Sequence, residues 1–356
     1  MKIHFIASSI RGGGAERVMV LLANEFTDLK HEVSIITFNK GQYYDLHPQI
    51  NSVDLHRGFI KNHTIRSLIN LFSYYFKRKN RPAVAIALMP RMNLISIIVC
   101  KLYGIKIIGC EHNNHLRQVE PLTKFTWNYI YRFANMITVL TEFDRNFFES
   151  KKANVVVMPN PCSFNILKNN SHNREKTILA VGSLNRYITK GFDNLLDLIV
   201  PVLNNNPKWN LKIAGAGEEG FQILNQMVQV NQIQNQVEFI GFVDNISELM
   251  RKYDIFCLSS RHEGLPMVLL EAMSQGMVCI AYDCKTGPSE IIDHHKNGLL
   301  IEDQNQKEMQ KGLDFLINND EIRKNYSNNA LKNLDRFSMT TIINKWNILF
   351  KELNLL

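Results

Sequence analysis

The chain has 356 residues, 45% of them hydrophobic, enough to bury a large core, and its length fits two domains better than one. The net charge of +8 is one-sided: residues 1–165 hold 21 Lys and Arg against 11 Asp and Glu, and residues 166–356 hold 20 against 22. Six cysteines without a CxxC pair argue against a zinc site and for a reducing cytosol, and no apolar run approaches the ~20 residues that cross a bilayer.

In chain order, Lys2 to Ser8 opens as a strand rather than a signal peptide. Strand-length apolar runs then alternate with amphipathic stretches of helical length, the pattern of parallel sheets wrapped by helices. The first half predicts strands at 3–8, 32–38, 84–89, 106–110, 136–140 and 155–158, with helices near 14–26, 65–79, 92–103, 120–133 and 142–150. The stretch 160–175, rich in Asn, Ser and Lys, reads as an exposed linker. The pattern restarts with strands at 177–181, 211–214, 237–241, 255–259, 278–282 and 298–301. A closing helix near 338–353 carries Ile342, Ile343, Trp346, Leu349, Phe350 and Leu353 at helical spacing. The expected fold class is α/β: two Rossmann-like, doubly wound parallel-sheet domains, 1–165 and 166–336, with 337–356 packing back towards the first.

Ligands of open parallel sheets bind at the carboxyl ends of strands, so the loops there carry the candidate residues. After the first strand, Gly12, Gly13 and Gly14 lead through Arg17 into a helix, a turn that lets backbone N–H groups approach an anion and that also serves a tight strand-to-helix connection. After strand 106–110 come Glu111, His112 and Asn113. After strand 177–181, Arg186 and Lys190 lie among glycines as a candidate diphosphate clamp. After strand 255–259 come Glu263, Gly264, Leu265 and Pro266, with Pro266 expected in the first turn of a helix and Glu271 further in. A carboxylate at Glu271, in so apolar a stretch, requires hydrogen-bond partners. Alternatively, the two glutamates serve as a cap and a solvated charge.

Together the Gly12-Gly13-Gly14-Ala15-Glu16-Arg17 turn, Glu111-His112-Asn113, Lys190-Gly191, and Glu263-Gly264-x-Pro266 with a second glutamate eight residues after the first resemble glycosyltransferase family 4. The run Asp283 to Glu290 is similar to bacterial members that build lipopolysaccharide O-antigen or capsule. The likeness extends from about residue 2 to about 350. It implies the two-domain GT-B fold, in which the domains face a cleft. It also implies retention of anomeric configuration, a nucleotide-diphosphate sugar (UDP-sugar favoured) as donor substrate, and no cofactor or essential metal. By this resemblance His112 and Glu263 flank the transferred sugar and act in catalysis. Gly13, Gly14, Arg186, Lys190, Gly264, Leu265, Pro266 and Glu271 bind the donor, while Arg17, Glu111 and Asn113 stand on the acceptor side. Relatives usually carry Arg where this chain has Ser183; here Arg186 stands three positions later in a longer loop. No Asp-x-Asp is present to hold a metal.

Two features compete with this reading. Gly215-Ala216-Gly217-Glu218-Glu219-Gly220 spells the dinucleotide fingerprint, with Glu238 downstream, and raises an NAD-dependent oxidoreductase. It follows the second strand of its domain, not the first. A nucleotide-sugar epimerase, a hydrolase or a binding module of the same fold is the other alternative. In the basic half, Leu68, Leu71, Phe72, Tyr75 and Phe76 form an apolar stripe beside Lys77, Arg78, Lys79 and Arg81. It either packs on the sheet or docks on the anionic cytoplasmic leaflet. The partners expected are therefore the donor, a lipid-linked glycan acceptor and the inner membrane face, for a cytoplasmic, peripheral enzyme. No nucleic-acid module is present.

Overall fold

A computed structural model describes residues 1–41, 44–168, 170 and 173–356. Two compact units divide the chain: Met1–Pro161 joined by Met339–Leu356, and Cys162–Ser338.

The first unit runs β1 (Lys2–Ala7), α1 (Gly14–Asp28), β2 (Glu32–Thr37), β3 (Asn51–Asp54), α2 (His63–Phe76), β4 (Val84–Leu88), α3 (Pro90–Leu102), β5 (Lys106–Cys110), α4 (Pro121–Phe125), β6 (Met136–Val139), α5 (Glu142–Ser150) and β7 (Val155–Val157). All seven strands are parallel, in the order β3-β2-β1-β4-β5-β6-β7. Helices cover both faces of such a sheet, which is why β1 and β4 are apolar and buried almost end to end rather than alternating. The sequence pattern does not announce β3. Its Asn-Ser-Val-Asp has one apolar residue, and it exists as an edge strand because its backbone pairs with β2 from Ser34 to Thr37.

The helix expected over 120–133 is present but irregular. After α4 the backbone widens to a π turn over Thr126–Ile130 and tightens to a 3-10 turn over Tyr131–Phe133. Trp127 and Tyr131 are both buried there, a placement that matters below.

The second unit runs β8 (Glu175–Val181), α6 (Tyr187–Lys190), α7 (Phe192–Asn205), β9 (Asn210–Ala214), α8 (Glu218–Val230), β10 (Val237–Gly241), α9 (Ile246–Lys252), β11 (Tyr253–Leu258), α10 (Met267–Ser274), β12 (Val278–Tyr282), α11 (Pro288–Ile291), β13 (Gly298–Ile301), α12 (Gln306–Asn318) and α13 (Asp320–Asn333). Its six strands are parallel too, in the order β10-β9-β8-β11-β12-β13. Ile178, Leu195, Ile199, Ile213, Ile255, Ile280 and Leu313 sit in one apolar core between the sheet and its helices.

The last helix, α14 (Met339–Glu352), belongs to the first unit. Trp346 meets Phe26 of α1 edge to face at 6.2 Å, and Phe350 lies 5.5 Å from the same ring. The division falls at Pro161 and Cys162, four residues before the expected 165. The segment read as a free linker is tied down on the second unit: Cys162 N–H donates to Phe337 O at 2.8 Å, Leu167 N–H to Ser274 O at 3.0 Å, and the Asn170 amide to Ser327 Oγ at 2.5 Å. Ser163, Asn170 and Arg174 bond into this unit, while Asn165, Lys168 and Asn173 are exposed. Among the described residues no helix is long and apolar enough to cross a membrane.

Candidate functional site

In the second sheet β8 and β11 are neighbours, yet the chain leaves β8 towards β9 on one side and β11 towards β12 on the other. The loops beyond their carboxyl ends diverge, which opens a crevice at the point where strand order reverses. Lys190 comes from the loop after β8 and Glu263 from the loop after β11. Their side chains meet: Lys190 Nζ lies 2.8 Å from Glu263 Oε1, and both are largely shielded, at 17% and 12% exposure. Ser260 Oγ donates to the same carboxylate oxygen at 2.7 Å.

This pair is held by backbone docking of one loop on the other. Gly191 takes a left-handed conformation, φ +66°, and a Cβ there would stand 1.9 Å from Ser259 O. Only glycine allows that approach. Ser259 Oγ donates to Lys190 O at 2.9 Å and Arg261 N–H to Thr189 O at 2.9 Å. The Arg261 guanidinium donates to Ile188 O and grips Asp193 of α7 with two bonds of 2.7 and 2.9 Å, the fork geometry that makes arginine a rigid clamp. From the far side Thr286 Oγ1 donates to Glu263 O at 2.6 Å. Gly287, φ +93°, leaves room for Gly264 O, which a Cβ would approach to 2.4 Å.

Pro266 is the residue before α10, extended at φ −70°, ψ 102°, rather than inside its first turn, so Glu263, Gly264 and Leu265 form the approach to the helix. Glu271 lies in α10 and is only 1% exposed. The Ser163 hydroxyl donates to its Oε1, meeting the expectation that so buried a carboxylate needs a partner. Arg186 ends a 3-10 turn over Leu184–Arg186 and is exposed, its guanidinium without a hydrogen bond among the described residues.

The Gly-x-Gly-x-x-Gly motif follows β9 and serves packing. A Cβ on Gly215 would stand 1.8 Å from Gly182 O, one on Gly217 2.5 Å from Asn185 N, and one on Gly220 2.0 Å from Leu184 O. The space these glycines free is filled by the loop after β8, where a dinucleotide fingerprint would leave it to pyrophosphate. Two backbone–loop bonds seal the contact: Leu184 N–H to Ala216 O at 2.9 Å and Gly220 N–H to Asn185 Oδ1 at 3.0 Å.

The first sheet reverses between β1 and β4. After β1, Gly13 is the extended residue before α1, and Glu16 folds back so closely that a Cβ on Gly13 would stand 2.0 Å from its Oε2. Gly14 is open on that side, and Arg17, half-buried, donates its N–H to Gly13 O at 2.9 Å. After β4, Met89 holds φ +72°, a conformation that costs a non-glycine residue on the order of 1–3 kcal/mol and that persists where surroundings impose it. Asn113 Nδ2 lies 3.9 Å from Met89 Sδ, and its Oδ1 accepts from Arg117 at 3.1 Å.

Glu111 departs from expectation. Its side chain turns into the core, 2% exposed, and accepts from Trp127 Nε1 at 3.2 Å and from the Tyr131 hydroxyl, which Asn93 Nδ2 also contacts at 2.9 Å. Burial pushes this carboxyl up to about 7 against the opposing pull of the Tyr131 and Trp127 bonds. The irregular helix over 121–133 supplies both donors, so the Glu111 side chain is bonded within the core of the first unit. His112 is half-buried. Burial lowers its imidazole to about 4, with the Asn160 side chain pulling the other way, so the ring is neutral at pH 7. His112 Nδ1 and Trp346 Nε1 are both buried with no hydrogen-bond partner among the described residues, and both residues line one small cavity together with Asn160.

Sequence reasoning passed over Ser163, Ser260, Arg261 and Thr286 as positioning residues. Ser260 and Arg261 border Glu263, and their nearness was a usable signal; Ser163 lies 108 residues from Glu271 and gave none. Among the described residues no three His, Cys, Asp or Glu side chains gather as a metal set would.

Comparison with known proteins shows the family and the fold. Residues 12–164 match the model of Glycosyltransferase Family 4, and residues 164–333 that of Glycosyl transferases group 1. An uncharacterised glycosyltransferase of Haemophilus influenzae is 30% identical over 97% of this chain and 98% of its own. The amylovoran biosynthesis glycosyltransferase AmsD of Erwinia amylovora is 30% identical over 94% and 95%. The crystal structure of TarM superposes with a TM-score of 0.82 at 17% identity, covering 98% of each chain, and that of Anabaena HepE with UDP and glucose at 0.81 and 17%, covering 99% and 100%. Those two show the fold, the pair of Rossmann-like domains called GT-B. The chain is a glycosyltransferase and belongs to the family 4, group 1 glycosyltransferases.

Proposed function

We propose that this glycosyltransferase transfers a hexose or N-acetylhexosamine, with retention of anomeric configuration and without a metal, from a UDP-sugar to a lipid-linked glycan acceptor in bacterial cell-surface polysaccharide synthesis. The observation that carries the reading is the Lys190–Glu263 pair at the reversal point of the second sheet, with Glu271 buried one helix behind it. Relatives lend the substrate class. One, from Campylobacter jejuni, 30% identical over 97% of this chain, is named as an N-acetylgalactosaminyltransferase acting on a glycan carried by diphospho-undecaprenol. HepE was crystallised with UDP and glucose.

In this reading the donor diphosphate takes Lys190 as a counter-charge, drawing it from Glu263, and Arg186 supplies a second cation. As the sugar–phosphate bond breaks, these cations and the N–H groups at Gly264 and Leu265 hold the charge that develops on the leaving group. Glu263, freed of part of its ion pair, stands beside the transferred sugar. Glu271, oriented by its Ser163 bond, binds the ribose hydroxyls. His112, in the first unit, is neutral at pH 7 and so does not serve as an acid.

The test is a screen of UDP- and GDP-sugars against lipid-diphosphate glycans in the presence of EDTA, with product configuration read by NMR. Retained configuration with a UDP-sugar is the expected result. Inversion, loss of turnover in EDTA, or epimerised or hydrolysed donor with no transfer would overturn the corresponding part of the proposal.

A further inference from the structure

Trp346 sits in the apolar face of α14 with Ile342, Ile343, Leu349 and Phe350, and it is 2% exposed. Its ring meets Phe26 at 6.2 Å and Phe350 at 5.8 Å. Packing alone would be served by an aromatic ring without a polar atom. Tryptophan brings an N–H, a group that finds a partner when buried because leaving it bare forfeits its hydration. Nε1 is buried and bonds nothing among the described residues.

The indole borders a cavity of about 20 Å³ towards the carboxyl ends of the first sheet's strands, lined mainly by apolar side chains such as Phe5, Leu22 and Leu88. That is room for one water and little else. The polar lining comes from four separate stretches of chain: His112 beyond β5, Thr138 in β6, Asn160 beyond β7, and Trp346. His112 Nδ1 is buried and unpartnered as well. An indole N–H can only donate, whereas a neutral imidazole always keeps one nitrogen as an acceptor. The His112 ring is neutral at pH 7, so that acceptor exists. A water that has accepted one hydrogen bond donates the next more strongly, and an imidazole nitrogen is the strongest acceptor on this lining.

We propose that one buried water links Trp346 Nε1 to His112 Nδ1 and so keeps the His112 proton on Nε2, which makes Trp346, on the closing helix, a positioning residue for His112. The indole donates to the water, the water donates to Nδ1, and its second proton goes to Asn160 or Thr138, so each bond has one donor and one acceptor. Nε2, across the ring, then carries an N–H whose direction the water fixes. The effect on transfer rests on the catalytic part that the family resemblance gives His112; the water and the tautomer do not.

The experiment joins a crystal structure of the full chain to NMR of nitrogen-15-labelled histidines at pH 7, His112 being assigned by its loss in His112→Asn. Expected are one water within hydrogen-bond distance of both nitrogens and a His112 signal from a neutral ring protonated on Nε2 alone. Trp346→Phe keeps an aromatic ring and removes the donor. The two tautomers should then mix, and kcat should fall roughly threefold to tenfold, the scale of one neutral hydrogen bond, with KM values little changed. Phe350 packs on Trp346 but does not line the cavity, so Phe350→Leu should lower the thermal midpoint while the tautomer stays single. A dry cavity, an indole bonded directly to the imidazole, a proton on Nδ1, or wild-type His112 signals in Trp346→Phe would each overturn the proposal. Mixed tautomers in Phe350→Leu would do so too, since packing alone would then set the ring. Failure of the reading beneath it is distinct: His112→Asn would transfer sugar at the wild-type rate while the water and the single tautomer remain, and that result removes the positioning role.

Discussion

Lys190 Nζ and Glu263 Oε1 stand 2.8 Å apart although their loops leave strands β8 and β11, 73 residues apart in sequence. Two roles can share such a pair, and substitution separates them. If the proposed roles hold, Glu263→Ala removes the group beside the sugar and leaves Lys190 to the phosphate, so turnover should fall by roughly a hundredfold or more, as for other transition-state groups, with UDP affinity little changed. Lys190→Ala should act the other way round, raising the donor KM. Steady-state kinetics with UDP competition reads both, and equal effects of the two changes on both parameters would contradict the division.

Glu271 is buried in α10 and bonded to Ser163. A buried hydrogen-bonded carboxylate that meets ribose hydroxyls contributes to ground and transition states alike, so its loss raises KM without lowering kcat. Glu271→Gln, which keeps the volume, should weaken donor binding by roughly tenfold. Ser163→Ala should weaken it less, because it frees an orienting bond and leaves the carboxylate. Calorimetric titration with UDP decides; affinity unchanged in Glu271→Gln would remove this residue from the donor site.

At Gly191 the constraint is steric. With φ at +66° and Ser259 O only 1.9 Å from a Cβ position, Gly191→Ala must push the two loops apart. A left-handed alanine alone costs about 1–2 kcal/mol; the clash adds to it. Lower thermal stability should accompany weaker donor binding, since Lys190 is the preceding residue. Gly14→Ala is the control, a position where a Cβ meets nothing within 4 Å.

These cases mark how far the sequence could be read. Strands such as Lys106–Cys110 and Val278–Tyr282 were legible to the residue because a parallel strand covered on both faces must be continuously apolar. The edge strand Asn51–Asp54 was not, because backbone pairing rather than side-chain burial makes it. Within the site, Lys190 and Glu263 were visible as charges at strand ends, but Ser163 and Thr286 were not, since small hydroxyls are common and only their long-range bonds single them out. The burial of Glu111 was hidden for a related reason. A charge next to a histidine at a strand end invites a functional role, and nothing in the spacing of Trp127 and Tyr131 reveals the π turn that carries them to it.

Glu111 also makes stability depend on pH. Its carboxyl titrates at about 7 folded against the ordinary 4.5, so between these values the folded chain holds a proton that the unfolded chain has lost. The contribution is complete below 4.5, and it is lost as pH rises through about 7. Chemical denaturation should show the protein less stable at pH 8 than at pH 5 by about 2 kcal/mol from this group. Glu111→Gln, which cannot ionise, should flatten that slope; an unchanged slope would place its origin elsewhere.

Arg186 is the position where this chain differs from the pattern it resembles, Ser183 standing three residues earlier in place of the usual arginine. Arg186 is exposed, and its guanidinium makes no hydrogen bond among the described residues. An arginine that held the loop together would have partners already, as Arg261 does with Asp193 and Ile188 O. Arg186 is instead uncommitted at the same loop that delivers Lys190, as a phosphate ligand would be before the donor arrives. Arg186→Ala should therefore leave the thermal midpoint unchanged and weaken UDP binding by roughly tenfold, the scale of one charge-assisted hydrogen bond, with the effect diminishing as salt screens the contact. The double change Ser183→Arg with Arg186→Ala should recover part of that affinity if the clamp needs a cation in this loop rather than at one position. Normal turnover by Arg186→Ala at low donor concentration would exclude Arg186 from the phosphate contact and leave Lys190 as the cation there.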